Sequence, residues 1–263
     1  MRRAERIHNL FLELEKHKEY KLITFWEIYF NTKNRMYIYK YLSNLYNEIY
    51  LLKNDMKEIK LEENNQFKTT LSFLITLLEY SDFTKEIKLI GLMNNISSIK
   101  SFFEIVTTIY QLNNLVDEDE ISLVDLDNFK NMLEEEIENL KKSDLSIEDK
   151  YFFLSLFEDF DEAIALYKIS GLDAFNNSIK KNLCKLKIID EGIKENDKFQ
   201  PYIKASKKIL GITFTWIMQY SKKKINNVLE HNVTKFIEEK AEEWKNLDEI
   251  SNINSNTIDA EIE

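Results

Sequence analysis

The sequence predicts an all-α protein, a multi-helix bundle of about nine to eleven helices, with an amino-terminal bundle around a long central helix. One proline and four glycines among 263 residues are far too few for the turns of a sheet-rich fold. An apolar content of 44% matches a packed globular chain and not a disordered one. The stretch 38–59 places Ile38, Leu42, Leu45, Ile49, Leu52, Met56 and Ile59 at spacings that alternate four and three. That repeat keeps one narrow apolar seam turned toward neighbouring helices.

The elements follow in order. A first helix over about 3–18 gathers Ile7, Leu10, Phe11 and Leu14 on one face. A second begins at Thr24, where Thr24 and Glu27 have capping-box spacing and Ile23 and Ile28 staple spacing. It carries Trp26, Tyr29 and Phe30. The heptad helix comes next and ends at Glu63-Asn64-Asn65. A fourth, over about 66–80, is apolar on more than one side, as expected of a central helix. Helical pattern resumes through Ile87 to Met93 and again from Ile99 to Leu112.

The acidic run Asp117-Glu118-Asp119-Glu120 has little to bury and marks a boundary. Beyond it, Leu126, Phe129, Leu133, Ile137 and Leu140 define a further helix. Ser146 and Asp149 start the next, which stops at Gly171 and pairs with the following segment as a helical hairpin. Phe157 to Ile164 followed by Tyr167 to Leu172 resembles a hairpin pattern of uncharacterised helical bacterial proteins, a resemblance that implies no activity. In the last section, apolar residues crowd 209–217 between Lys204, Lys207, Lys208 and Lys222, Lys223, Lys224. The expected division is an amino-terminal bundle over 1–115, a hairpin region over 122–189, a carboxyl-terminal helical section over 199–250 and a disordered acidic tail over 251–263.

Composition excludes several functions. The formal net charge is −10, which argues against general binding to duplex nucleic acid, since phosphate neutralisation needs a concentrated basic face. A single cysteine, Cys184, cannot make an intrachain disulfide and fits a reducing cytoplasm. Met1 to Arg6 is charged and no apolar segment follows, so no signal peptide is expected. No run reaches the eighteen or so apolar residues of a membrane span. Abundant Lys, Asn and Ile point to an AT-rich genome of a bacterium or phage.

Few constellations carry chemistry. Arg3 and His8 have the R-x4-H spacing of the HEPN ribonucleases. The resemblance implies a dimer in which arginine and histidine bind and cleave at an RNA phosphate. Ala4 departs from the polar residue usual in that family at this point. Glu5 and His8 have the i, i+3 spacing of di-iron ligands, but His17 and His231 follow Leu14 and Val228 by three residues, so no second pair exists. Three histidines and one cysteine make no structural zinc set, and no glycine-rich phosphate loop is present. No catalytic, cofactor or metal site is therefore assigned, with Arg3 and His8 as the alternative.

What remains leans toward binding. Tyr37, Tyr39, Tyr41, Tyr46 and Tyr50 wrap around the heptad helix, and tyrosine tolerates a half-wet interface. The expected function is a non-enzymatic interaction or regulatory protein that presents helix faces to a protein partner, itself included. Trp26, Tyr39 and Tyr46 are the expected anchors. A place in a phage-defence or mobile-element system would suit such a protein. The alternatives are the HEPN-like ribonuclease and a membrane-acting effector working through the lysine-flanked segment 209–217.

Overall fold

The computed structural model describes residues 3–81, 87–93, 96–112, 120–192 and 197–220. Among them are nine α-helices and no strand. They are α1 (Arg3–Lys16), α2 (Leu22–Tyr29), α3 (Arg35–Glu58), α4 (Asn65–Glu79), α5 (Ile96–Leu112), α6 (Leu123–Lys142), α7 (Ile147–Ser170), α8 (Leu172–Gly192) and α9 (Gln200–Tyr220). A short 3-10 turn spans Leu89–Gly91. The chain forms two compact units: Met1–Asp119 with Ala165–Gly171, and Glu120–Ile164 with Leu172–Glu263.

In the first unit, α1 packs on α3 and α5, and α4 packs on the same two helices. The four close a ring around an apolar centre. The heptad seam supplies one wall, with Ile38, Leu42, Leu45, Ile49, Leu52 and Met56 all buried. Within this bundle α3 forms one of four walls, and its other side faces solvent. α4 also differs: Phe67, Phe73, Leu74 and Leu77 are buried, whereas Ile75 is exposed. Phe11 of α1 meets Phe73 of α4 and Phe103 of α5 at ring-centre distances of 5.8 and 5.4 Å.

Helix ends follow local chemistry. Asn34 caps α3 by accepting from the Met36 N–H at 3.0 Å, and Asn64 caps α4 by accepting from Gln66 and Phe67. Ser122 and Ser146 accept from the N–H groups of Asp125 and Asp149; for Ser146 this is the capping geometry read from the spacing. α2 departs from its expected start. It begins at Leu22, and Lys21 makes no side-chain cap. The Leu22 N–H instead donates to the Ile87 carbonyl at 2.8 Å and the Leu89 N–H to the Tyr20 carbonyl at 3.0 Å. A backbone bridge between distant segments thus satisfies the first N–H of α2 without a side-chain cap.

In the second unit, α9 packs on α6 and α8. Phe129 of α6, Phe175 of α8 and Trp216 of α9 form an aromatic triad with ring centres 4.9 to 6.0 Å apart. Ile209, Leu210, Phe214, Trp216 and Ile217 are buried, so the apolar residues of 209–217 belong to this core. Gly171 takes φ 58° between α7 and α8, a left-handed position that favours glycine. Contacts of Asp159 with Ser178, Lys181 and Lys185 tie α7 to α8 as an antiparallel hairpin. The tail 251–263 and the second lysine cluster, Lys222 to Lys224, lie outside the described residues. No helix among the described residues is long and apolar enough to cross a membrane.

Candidate functional site

Two features of the first unit carry unusual chemistry. One is a buried charge network, the other an exposed aromatic stripe.

The network begins on α1. Arg3 and Arg6 are three residues apart and share a face. On α3, Glu48 and Asp55 are seven apart and share another. The Arg3 Nε donates to Glu48 Oε2 at 3.0 Å, and the Arg3 guanidinium also donates to Asp55 Oδ2. Arg6 Nη2 reaches the same Glu48 oxygen at 3.1 Å, and Arg6 Nε donates to the Ile169 carbonyl at 2.7 Å. Tyr110 of α5 donates its hydroxyl to Asp55 Oδ2 at 2.8 Å. The side chains of Arg3, Arg6 and Glu48 are 6% exposed or less. Charges this deep persist because each meets an opposite charge and further hydrogen bonds.

The geometry separates Arg3 from His8. Five helical residues turn the chain by about 140°, so the two side chains leave α1 in different directions. The Arg3 guanidinium is bound to two carboxylates of α3. His8 lies toward α5, where burial lowers its pKa, Glu104 raises it and Lys100 lowers it. Its Nε2 is shielded from solvent and makes no hydrogen bond among the described residues. The pair is therefore not gathered on one shared phosphate-binding face of α1.

Beside the network, Lys168 sits over the Tyr29 ring at 4.1 Å from its centre and near Phe30 at 5.8 Å. Burial pushes its ammonium down to about 8, against a smaller opposing influence from Glu13. Burial likewise pushes the Tyr29 phenol above its ordinary range. These groups hold the end of α7 against α2. Sequence reasoning missed the network and the lysine. The i, i+3 arginines and i, i+7 carboxylates were the available signal for the first; no local signal marks Lys168.

The three expected anchors fall in different places. Trp26 is fully buried: its indole N–H donates to Ser81 Oγ at 3.0 Å, and its ring stacks on Phe30 at 5.5 Å. It is a core residue, placed there because α2 lays its aromatic face inward. Tyr39 and Tyr46 are exposed at 48% and 62%, and Tyr50, not among the expected anchors, at 60%. At about 100° per residue these three lie within one narrow stripe. Arg35, Ser43, Lys53 and Lys57 share it, and no carboxylate does.

No family model, no curated protein and no solved structure matches the chain.

Proposed function

We propose that this chain is a non-enzymatic interaction protein whose outer α3 face docks a protein partner. The observation that carries the reading is the exposed stripe of Tyr39, Tyr46 and Tyr50. Large aromatic side chains at the solvent face of a rigid helix supply contact area at low entropic cost. The buried network supports it from below, since Glu48 and Asp55 tie that helix to α1 and hold its outer face in place. A bacterial or phage origin and a reducing cytoplasm fit the composition, rich in Lys, Asn and Ile with the single Cys184.

The test is co-purification of the natively expressed chain beside its Tyr39→Ala/Tyr46→Ala variant, with mass analysis of what each retains. A stoichiometric protein partner retained by the first and lost by the second, at equal helicity, is the expected result. Identical retention by both chains removes the α3 face from the function.

A further inference from the structure

We propose that the occupant of the α3 stripe is the α7 helix of a second copy of this chain, a proposal that rests on the helix-face reading above and names its partner. The stripe is a second heptad seam on α3. Tyr39, Ser43, Tyr46, Tyr50, Lys53 and Lys57 repeat the four–three spacing of the buried seam, shifted by one residue. Such a seam accepts one straight helix laid alongside it. Its first part is aromatic and its last part is cationic.

The first part of α7 carries the complement. Ile147, Tyr151, Leu154, Glu158 and Asp161 follow the same four–three spacing. Ile147 and Tyr151 are each 69% exposed, Leu154 is half-buried, and Glu158 and Asp161 are exposed. This stripe is apolar first and acidic last. Laid parallel, the two seams match layer by layer. Tyr39 meets Ile147, the small Ser43 meets Tyr151, Tyr46 meets Leu154, Tyr50 meets Glu158 and Lys53 meets Asp161. Lys57 falls just beyond Asp161, one turn past Lys53. A large residue faces a small one where the rings would otherwise crowd, and at the wet end Lys53 faces Asp161 with Glu158 one turn before it. In a chain of net charge −10, a helix face of three cations and no acid is the place where a second copy can approach without like-charge repulsion. Asp161 is partly desolvated, with Lys130 and Glu134 of α6 as its charged neighbours, so Glu158 is the acid most open to the incoming lysines.

The test is light scattering and sedimentation of the intact purified chain over a wide concentration range, with helicity checked for every variant. The mass of the unaltered chain rises with concentration, and the rise weakens between about 0.1 M and about 1 M salt as the screening length shortens. Lys53→Glu/Lys57→Glu and Glu158→Lys/Asp161→Lys each weaken association by about tenfold or more. Mixing the two charge-reversed chains restores it, because each then offers the stripe the other needs. Loss of folding cannot imitate that rescue. Tyr46→Ser/Tyr50→Ser weakens association with all charges in place. A chain that stays monomeric at every concentration, or a mixture that does not associate, overturns the second-copy proposal. In that case a partner protein lost from the Tyr39→Ala/Tyr46→Ala chain still upholds the wider reading. RNA that co-purifies with the unaltered chain and is lost on Lys53→Glu/Lys57→Glu overturns both in favour of a nucleic-acid face.

Discussion

Glu48 holds the charge balance of the first unit at a single atom. Its Oε2 receives both Arg3 and Arg6, so its removal leaves two buried guanidiniums short of an acceptor. Glu48→Ala is expected to cost about 3–5 kcal/mol, read as a lower urea midpoint at unchanged slope. Lys168 acts in the opposite sense, because burial makes its charge a burden on the fold. Its folded pKa of about 8 lies below the ordinary 10.5. Below about pH 8 the lysine is charged in both states and the cost is fully present. Between the two values the folded chain releases its proton first, and stability rises with pH. Relative to Lys168→Met, the unaltered chain should gain up to about 3 kcal/mol between pH 7 and about pH 10. Paired urea denaturations at the two pH values measure the difference, and a constant gap contradicts it. Neither residue is marked by the sequence alone, since Glu48 is one polar position among many on the heptad helix and nothing local sets Lys168 apart. Burial of a charge depends on which distant carboxylate or ring arrives beside it, and local pattern does not encode that.

At the scale of the helix, α3 shows how far periodicity reaches. Its aliphatic seam is legible because Ile, Leu and Met have one preferred side. The tyrosines are amphipathic and spread around the helix, so the pattern alone does not say which of them face solvent. Tyr41 is buried while Tyr46 and Tyr50 are exposed. Trp26 was misplaced for the same reason: a large aromatic serves a core as readily as an interface, and the Ser81 hydroxyl that satisfies its indole lies 55 residues away. The two faces of α3 should therefore separate in stability measurements. Leu52→Ala, at a fully buried position, is expected to cost about 2–5 kcal/mol. Tyr46→Ala and Tyr50→Ala should stay within about 0.5 kcal/mol. Thermal or urea unfolding of the three variants decides this, and comparable losses at all three would place the tyrosines in the core.

On the scale of the whole molecule, the all-α class is legible from composition and helical periodicity. The grouping of Ala165–Gly171 with the first unit is not legible. It depends on the Arg6 bond to the Ile169 carbonyl and on Lys168 over Tyr29, contacts that span well over a hundred residues. Each unit nevertheless has its own aromatic core and its own buried tryptophan, Trp26 in one and Trp216 in the other. Those two rings are separate reporters once Trp244 and the opposite tryptophan are replaced by phenylalanine. Phe175 stacks edge-on against Trp216 and Phe129, and Phe175→Ala removes a fully buried ring from that triad. The expected cost is about 3–5 kcal/mol to the transition reported by Trp216. The Trp26 reporter, set among Phe25, Tyr29 and Phe30, should keep a transition near its original midpoint. Equal displacement of both transitions would show that the chain unfolds as one cooperative body in spite of its two cores.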